Sequence, residues 1–599
     1  MSRPSYPPRE MTPATPGIFT AILGGVVSAA AAGAGMGFLR STLQVRSVPE
    51  RVIEWLLIFI PIDAFAAGVQ RFGFDAKRYA LSGAILATLG VLVILGAIAL
   101  RRGWSVRAIG ALGILLWLFT MVVVMPLTEA GLFAMALIDG TKAAVLGYLA
   151  VALTYVAVLV LVREVLLEAG RPFGVPEPLA ARRAEGNRFL ASLISRRSAT
   201  VLVGAAVAGY AATFLSTFIG PRQRFTTVRV LDPQEPVPSG GIGAPNPHPN
   251  LLGTPELEPA PAPRGAGSSS EPPPPRQLVR DRDGALLPSG RRPGDLADLV
   301  TPNEAFYVVT KNPVADPMLR AENWRLILDG EVERPVQLDY RSLRNLPTVE
   351  IAKTLECISN FVTLCDMVPF GCDLMGNARW KGARMSDVLA LAGGLKPGVL
   401  AIATISADEY TTALPIEAAL DPQTLLVYEM NGEILPREHG YPVRVLVPGR
   451  YGMKNAKWVV NLRALRREFV DWYGQRMWSK DGIIKTMTRI DVPAPKAVLS
   501  PGQHRIAGVA YGGDRGIARV EFSADGGHNW QAAQFVEPSA GRDAWVRWQG
   551  NFGVSSGGDV TLIARATDGS GEVQQEAFSL PQPDGGAGWN TCEISVRLA

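Results

Sequence analysis

The sequence contains few histidines and cysteines, with four residues of each kind in 599. Four cysteines are too few for a disulfide-dense secreted scaffold. The apolar N-terminal third has neither residue type, and no C-x-x-C-H sequence is present. A haem held by two histidines in that region is therefore excluded. All of the histidines lie after residue 220, at His248, His439, His504 and His528.

The chain also lacks a strong charge of either sign, since its formal net charge is only +5. Proteins that bind nucleic acid through its phosphates carry a concentrated positive charge. We therefore expect no nucleic acid among its partners.

Uncharged stretches long enough to cross a membrane fill the N-terminal third. The clearest are Gly17–Leu39, Tyr79–Leu100, Ala108–Thr128, Ala143–Val162 and Ala199–Gly220. A spanning helix needs about 20 apolar residues, because lipid offers no partner for backbone polar groups. A further stretch, Val52–Val69, contains Glu54 and Asp63 and either spans with these carboxylates facing the bundle or lies at the interface. We favour six spans over five, in a membrane α-helical bundle over residues 17–221 that follows a tail of residues 1–16.

The distribution of arginine predicts the orientation of this bundle. Cytoplasmic loops are enriched in Lys and Arg, and the segment Arg163–Arg197 carries seven arginines. The last span then runs outward and places everything after Pro221 on the outer side of a cell membrane. The Arg196-Arg197 pair before this span is either an ordinary positive anchor or, as it resembles, a twin-arginine export signal.

Residues 222–300 form a proline-rich linker. The stretch Asp232–Arg276 alone contains 14 prolines among Gly, Ser and Glu, a composition that cannot bury a core. We expect an extended or disordered tether here.

Two further domains follow the linker. In residues 301–485, Trp324–Leu328 predicts a strand and Met385–Leu391, before two glycines, predicts a short helix, so this domain is α/β (α+β). In residues 486–599, short alternating strands such as Ile517–Ser523 are separated by Asp-Gly and Gly-Gly turns. This second pattern predicts an all-β immunoglobulin-like sandwich.

Four segments of the predicted α/β domain carry the chemistry. They are Thr354–Asn360, which contains Cys357, and then Ala378–Arg384, Tyr428–Arg444 and Pro448–Trp458. Together they resemble the sulfite oxidase family of molybdopterin enzymes, and the resemblance extends over residues 302–599. It implies a sulfite-oxidase-type molybdopterin domain, one molybdenum–molybdopterin per chain, and a sandwich that often forms a homodimer interface. No haem is expected.

The resemblance also assigns roles to single residues. Cys357 matches the family's molybdenum ligand, a thiolate that binds the metal beside the two dithiolene sulfurs of the pterin. Matches to the family's contacts with the pterin and its phosphate are Lys311, Asn312, Asp408, His439, Arg444, Lys454, Asn455, Ala456 and Lys457. Each of these assignments has a structural alternative. A lone cysteine such as Cys357 is often a small buried hydrophobic residue, His439 could be a histidine of the core, and Lys454 could be a charge on the surface.

The sequence departs from the family where sulfite would bind. Sulfite oxidases resemble one another in placing arginines shortly after the metal cysteine and near the first motif, whereas this chain has Val362 and Lys311 there. An apolar site cannot hold a doubly charged oxyanion without a large desolvation cost. Sulfite is therefore a doubtful substrate, unless Arg450 or Arg379 supplies the missing charge.

A second departure is the stretch between Cys365 and Cys372. An outer location permits a disulfide between these cysteines, and we favour the disulfide slightly over free thiols. The C-x7-C-x6-C spacing does not suit zinc, whose ligands usually come in close pairs. Cys592 is expected to be buried or free.

These patterns leave three functions open. The first is a membrane-anchored oxidoreductase that transfers an oxygen atom to or from a small molecule, in a two-electron reaction at a Cys-ligated molybdenum. The second is a sulfoxide-type reductase fed by a membrane electron donor. The third is a non-catalytic, membrane-tethered binding protein that has lost the metal. Without a haem module, the enzyme needs a separate electron carrier, either a cytochrome or a quinone-linked protein.

Overall fold

A computed structural model describes most of the chain. The described residues are 16–43, 45–56, seven positions between 59 and 72, 76–128, 130–135, 141–169, 258–259, 288–312 and 316–597. The predicted span Ala199–Gly220, the Arg196-Arg197 pair and nearly all of the linker lie outside them. The chain divides into two compact units, one of N-terminal helices and one that includes everything described after residue 257.

Four helices of the N-terminal region are long and apolar enough to cross a membrane. The elements are α1 (Ile18–Thr42), a short α2 (Val48–Leu56), α3 (Ala76–Arg101), α4 (Val106–Phe119, continued by a π-helical turn at Thr120–Val124 and by Met125–Leu127) and α5 (Thr141–Ala169). The long helices coincide with four of the five clearest apolar stretches in the sequence.

Glycines bring α1 and α3 into close contact. A methyl group on Gly25 would lie 2.4 Å from the carbonyl oxygen of Val93, and one on Gly33 would lie 3.0 Å from Leu89. Residue numbers therefore rise along α1 while they fall along α3, so the two helices are antiparallel. Small residues at such a contact let the backbones pack closely without any hydrophobic drive between helices.

The antiparallel packing leaves the two ends of the connection between α1 and α3 on the same side of the helical bundle. Several residues of the candidate span Val52–Val69 in this connection lie outside the described part of the chain, so this span stays a prediction beside the four described helices.

Ion pairs hold the beginning of this connection. Arg40 bonds Glu50 at 3.0 Å and Arg46 bonds Glu54 at 2.5 Å, while the Tyr148 hydroxyl donates to the carbonyl of Arg46. The carboxylates of α2 are thus neutralised by nearby arginines. This arrangement favours the interfacial alternative for this part of the chain.

The topology is testable by labelling. We expect cysteines introduced at Leu43 and Tyr79, which are 50% and 59% exposed, to react with a membrane-impermeant maleimide from the same side of sealed vesicles. Arg102→Cys, at the other end of the bundle, is the control and should react only from the opposite side. The native Cys357 and Cys592 are buried and should give little background. Labelling of the first two positions from opposite sides would instead support a membrane span at Val52–Val69.

The second unit contains two sheets in its first half. One sheet has the strand order β1 (Glu258–Pro259), β3 (Val336–Asp339), β2 (Arg325–Gly330), β11 (Val459–Leu465), β6 (Ala401–Ser406) and β7 (Thr411–Pro415). The other has the order β10 (Arg444–Leu446), β8 (Leu425–Met430), β5 (Met375–Arg384) and β4 (Thr348–Glu356), with β9 (Glu433–Ile434) on β8. Short helices α6 (Tyr340–Arg344), α7 (Met385–Leu391) and α8 (Ile416–Ala419) connect the strands.

Burial explains why β11 lies in the middle of its sheet. All seven of its residues are buried, and it pairs in parallel with β2 and antiparallel with β6. Its two polar residues are satisfied within the sheet, since Asn461 donates to the carbonyl of Ile327 at 3.1 Å and Arg463 pairs with Asp329 at 2.8 Å. The helix predicted at Met385–Leu391 is confirmed with the same bounds, and the strand predicted at Trp324–Leu328 is confirmed as β2.

The C-terminal half is a β-sandwich. One sheet has the strand order β12 (Met487–Val492), β14 (Gly502–Tyr511), β18 (Val546–Val554) and β17 (Gln534–Phe535). The other has the order β13 (Val498–Leu499), β20 (Asn590–Val596), β19 (Gly558–Asp568), β15 (Ile517–Ser523) and β16 (Gln531–Ala532). The predicted all-β sandwich is confirmed, while its immunoglobulin class stays a prediction. The strand predicted at Ile517–Ser523 has those bounds.

The folded unit begins earlier than the expected boundary at residue 301. The N–H of Ser289 donates to the carbonyl of Asp373 at 3.1 Å, and the N–H of Ala297 donates to Asp491 at 2.9 Å. Residues 288–300 therefore pack on both halves of the unit instead of belonging to the tether. Within the linker, Glu258–Pro259 pairs with β3 as a two-residue parallel strand.

A buried ion pair joins the two halves. Lys353 of β4 and Asp543 are 0% and 1% exposed and form a salt bridge. Asp543 also accepts hydrogen bonds from the Tyr511 hydroxyl at 2.7 Å and from the Gly449 N–H at 3.0 Å. Burial lowers the pKa of Lys353, and Asp543 is the main group that opposes this shift.

Removal of Asp543 should therefore destabilise the folded protein. We expect Asp543→Ala to lower the free energy of unfolding by about 3–5 kcal/mol, because it leaves a charged lysine buried without its partner. Chemical denaturation of the full chain in detergent measures this change. The surface pair of Lys496 with Asp366 is the matched control, since Asp366→Ala should cost less than about 1 kcal/mol. Equal effects of the two substitutions would contradict the stabilising role given to the buried pair of Lys353 with Asp543.

Candidate functional site

Cys357 lies directly after β4, in a turn fixed by hydrogen bonds. Its N–H donates to the carbonyl of Leu374 at 2.9 Å, and its carbonyl accepts from the N–H of Asn360 at 2.9 Å. The side chain of Asn360 donates to Glu356 at 3.0 Å and accepts from the N–H of Leu374 at 3.0 Å. The thiol is therefore held in one place at the end of a strand, and it is nearly buried.

The thiol faces a cleft of about 730 Å³, including its open mouth. Eight of the ten residues predicted for the site line this cleft, namely Lys311, Cys357, Asp408, His439, Arg444, Asn455, Ala456 and Lys457. They come from segments spread over almost 150 positions of the chain. The fold thus gathers in one place the residues that the motifs had singled out.

Gly440 allows two of the cations to converge. Its φ of 115° lies in the region that favours glycine, and a methyl group there would lie 3.0 Å from Cβ of Arg444 and 3.1 Å from Cβ of Lys457. The glycine therefore serves both the turn that follows His439 and the close approach of these two side chains.

Arg444 is buried and Lys457 is half-buried, and neither forms a salt bridge with a carboxylate among the described residues. Arg444 donates to the carbonyls of His439 and Asn455, each at 3.0 Å, and its guanidinium lies 5.0 Å from the ring centre of Trp380. Lys457 donates to the carbonyls of Val309 at 3.0 Å and Glu438 at 2.9 Å. Burial lowers the pKa of Arg444 to about 10 and also lowers that of Lys457.

Asn312 and Asp408 form a linked pair at the side of the cleft. The amide of Asn312 donates to Asp408 at 3.1 Å and to the hydroxyl of Thr310 at 3.1 Å. Asp408 lies in the tight turn between β6 and β7, where it also accepts from the N–H of Tyr410 at 3.2 Å. Asn312 therefore does not line the cleft itself but orients the carboxylate that does.

Lys454 is placed differently from the prediction. Its ammonium group bonds Asp471 at 2.5 Å and the carbonyl of Ala413 at 3.4 Å, and it is not among the residues that line the cleft. It is also 2% exposed, so it is not a surface charge either. We leave Lys454 out of the set proposed to bind the cofactor, because its position is explained by a buried ion pair.

The lining residues fit a molybdopterin. Nε of Arg444 is buried in the cleft wall and has no hydrogen-bond partner among the described residues. A buried donor of this kind calls for an acceptor, and a phosphate supplies several oxygens. Asp408 offers the acceptor that pterin N–H groups need, and Cys357 offers the only cysteine sulfur among the lining residues.

Three tyrosines of the cleft were missed by the sequence analysis. Tyr307, Tyr410 and Tyr473 line it together with Cys357. Burial raises the pKa of Tyr307 and Tyr473 well above the usual range, and a negative charge on Cys357 is the next largest cause for each. Tyr410 lies beside Asp408 in a predicted motif, whereas Tyr307 and Tyr473 flank the motifs at a distance that no local pattern marks.

The arginines considered as replacements do not reach the cleft. Arg379 has a 64% exposed side chain near Glu350, and Arg450 donates to the carbonyl of Asp481 at 2.9 Å. Val362 is buried in the core shared with the sandwich, and its carbonyl accepts from Asn590 at 2.6 Å. The departure from the sulfite-binding pattern is therefore not compensated by either arginine.

Cys365 and Cys372 form a disulfide with a Cα–Cα distance of 5.1 Å. The disulfide, which the sequence analysis favoured over free thiols, is thereby confirmed. Cys592 is a free buried thiol, as expected, and burial raises its pKa to about 11. The disulfide closes the loop that follows the turn of Cys357.

Comparison with known proteins identifies the class of the second unit. Residues 312–473 match the profile described as "Oxidoreductase molybdopterin binding domain", and residues 483–580 match "Mo-co oxidoreductase dimerisation domain". The sulfite oxidase of Arabidopsis thaliana is 31% identical over 332 residues, which are 47% of this chain and 84% of that protein. The sulfite oxidase of Gallus gallus is 31% identical over 318 residues, covering 47% of this chain and 69% of that protein.

A solved structure is also similar in part. The sulfane dehydrogenase SoxCD from Paracoccus pantotrophus is 24% identical, with a TM-score of 0.43 over 50% of this chain and 80% of that one.

These matches and the cleft define an oxidoreductase that uses molybdopterin-bound molybdenum. The chain belongs to the sulfite oxidase family.

The role of Arg444 in binding the cofactor can be tested by measuring cofactor content. We expect Arg444→Met to reduce the molybdenum and pterin bound per chain at least about tenfold, since a buried hydrogen bond to a charged group contributes roughly 1.5–3 kcal/mol. Arg379→Met, an exposed position of the same domain, is the control and should keep full loading. Metal analysis, pterin fluorescence and circular dichroism are compared on the purified proteins. A folded Arg444→Met protein with unchanged pterin would contradict the assignment.

Proposed function

We propose that this chain is a membrane-anchored molybdopterin-dependent oxidoreductase that transfers an oxygen atom in a two-electron reaction, on the outer side of the cell membrane. The observation that carries the proposal is the cleft that the thiol of Cys357 shares with Arg444 and Lys457, neither of which bonds a carboxylate among the described residues. Sulfite oxidases that cover this half of the chain support the reaction class.

The proposed roles follow from the contacts. The thiolate of Cys357 binds the metal, and Arg444, Lys457 and Lys311 hold the phosphate. His439, Asp408, Asn455 and Ala456 contact the pterin. The cofactor, when bound, supplies the two-electron chemistry at molybdenum, while the chain supplies orientation and charge. Asn312 positions Asp408 without touching the cofactor.

Anchoring and orientation rest on the helical bundle. A methyl group on Gly24 would contact both Leu100 and Val162, so Arg101 and Arg163 lie at the same end of the bundle. Basic residues concentrate on the cytoplasmic side of membrane proteins, so this end faces the cytoplasm. A cofactor loaded in the cytoplasm then requires export of a folded domain, which supports the twin-arginine interpretation of Arg196-Arg197.

Electrons leave or enter through a separate carrier. Oxidation of a substrate by one oxygen atom consumes one water and releases two protons and two electrons, so a cytochrome or a quinone-linked protein must accept them. The profile match over residues 483–580 supports a homodimer formed through the sandwich.

A sulfoxide-type reductase is the second candidate. The observation that favours it is the position of Val362, which lies in the core where sulfite oxidases resemble one another in having an arginine. In this direction a membrane electron donor supplies the two electrons and the oxygen leaves as water. The third hypothesis, a binding protein that lost its metal, is set aside because the family relationship supports an enzyme.

The role of Cys357 is tested by metal content. We expect the full chain, produced with its cofactor, to contain one molybdenum, and Cys357→Ser to lose most of it because a hydroxyl does not replace a thiolate ligand. Cys592→Ser, the other free buried cysteine, is the matched control and should keep the metal. If the Cys357→Ser protein bound as much molybdenum as the control, the proposed ligand would be wrong.

A further inference from the structure

The loop Cys365–Cys372, which is closed by its disulfide, packs against the turn that presents Cys357. Val368 and Phe370 of the loop belong to the same buried apolar cluster as Cys357. The ring of Phe370 lies edge-on to that of Phe361, with the ring centres 6.4 Å apart. The loop therefore supports the thiol from behind, although none of its residues, all of which the structure describes, lines the cleft.

Hydrogen bonds join the end of the loop to this turn. Leu374, two residues after Cys372, accepts from the N–H of Cys357 at 2.9 Å and donates its own N–H to the side chain of Asn360 at 3.0 Å. The guanidinium of Arg489 in β12 donates to the carbonyl of Cys372 at 3.1 Å. A displacement of Cys372 would therefore move the peptide groups that fix Cys357.

The beginning of the loop is held less firmly. Leu364, immediately before it, is 49% exposed and has a φ of 51°, in the left-handed region that residues other than glycine seldom adopt. Asp366 pairs with Lys496 on the surface, an interaction that contributes little to stability. Asn590 of the sandwich donates to the sulfur of Cys365 at 3.8 Å. The disulfide thus joins a weakly held end of the loop to a firmly held one.

The two sulfurs of the disulfide differ in access. Cys372 is 4% exposed, whereas Cys365 is partly exposed. An external thiolate breaks a disulfide by attacking a sulfur that it can reach. We therefore expect exchange to occur at Cys365, with Cys372 as the leaving group.

The compartment determines when this disulfide forms. Thiols stay reduced in the cytoplasm, whereas disulfides persist on the outer side of the membrane. The proposed function places cofactor loading in the cytoplasm and the finished domain outside. The cofactor is then bound while Cys365 and Cys372 are free thiols, and the bond between them forms after export.

We propose that Cys365 and Cys372 form a redox switch, whose disulfide forms after the cofactor has bound and slows its release, and that Cys365 is the sulfur at which external thiols and disulfides react. The inference rests on the proposed function and adds to it a control of cofactor retention. The switch acts through Leu374 and the buried cluster around Cys357, not through contact with the cofactor.

The exchange balances with glutathione disulfide as the oxidant. The thiolate of Cys365 attacks one sulfur of the oxidant and releases one glutathione, and the thiolate of Cys372 then displaces the second glutathione from Cys365. The two cysteines together lose two electrons and two protons, and glutathione disulfide becomes two thiols. Reduction by glutathione passes through the same mixed disulfide in the opposite direction.

The first test separates loading from retention. Wild-type and Cys365→Ala/Cys372→Ala full chains are purified in detergent, and molybdenum and pterin per chain are measured at once. We expect equal loading, because the bond forms after the cofactor is bound, and subsequent release of the pterin at least about tenfold faster from the variant. Pterin fluorescence of the separated filtrate measures release, and circular dichroism checks that the protein stays folded. Cys592→Ala is the matched control and should release pterin at the wild-type rate.

The outcomes distinguish this inference from the function on which it rests. A folded double variant that releases pterin as slowly as the wild type, or that is never loaded, overturns the redox switch alone. Absence of molybdenum from the wild-type chain overturns the proposed function itself.

The second test leaves the sequence of the loaded chain unchanged. The wild-type protein is incubated with reduced glutathione or with glutathione disulfide, and its free thiols are counted by mass spectrometry after alkylation. We expect faster pterin release from the reduced sample and recovery of slow release after reoxidation. The Cys365→Ala/Cys372→Ala protein, treated in the same way, controls for any effect of glutathione on Cys357. Release from the wild type that does not follow its disulfide state would overturn the switch.

The third test identifies the reactive sulfur. Glutathione disulfide should form a mixed disulfide with Cys365 in the Cys372→Ala protein at least about tenfold faster than with Cys372 in the Cys365→Ala protein, because only Cys365 is accessible. Mass spectrometry of the intact chain gives both rates. Equal rates would show that Cys365 is not the preferred site of exchange.

Discussion

The site depends on the buried positive charge of Arg444, which no carboxylate among the described residues neutralises by a salt bridge. Within that part of the chain, Arg444 donates to two backbone carbonyls, lies against Trp380 and leaves Nε without an acceptor. Such a charge is unfavourable in an empty protein, and burial accordingly lowers the pKa of this arginine. An anionic ligand at this position would offset that cost, so binding of such a ligand would also stabilise the folded domain.

Much of this fold and part of the site could be predicted from the sequence. The helix Met385–Leu391 has local signals at both ends, and Cys357, His439 and Arg444 belong to motifs that keep their spacing. The phenols of Tyr307 and Tyr473 could not be predicted, because only the tertiary fold brings these distant segments to the same thiol.

Lys454 and Val362 show how a matched motif still leaves contacts undetermined. The first lies within a segment typical of cofactor binding, yet its ammonium group is committed to Asp471 behind the cleft wall. The second occupies a position where relatives resemble one another in having arginine, and it packs in the core instead. In both places a neighbouring element, rather than the motif, determines where the side chain points.

The pairing of Lys353 with Asp543 has a consequence for biosynthesis. The two residues are 190 positions apart, and Lys353 lies only four residues before Cys357. During translation the strand that carries Lys353 leaves the ribosome long before its counter-ion exists. The turn that presents the thiol is consequently completed only when nearly the whole polypeptide has been made, and we expect insertion of the cofactor to be a late event in maturation.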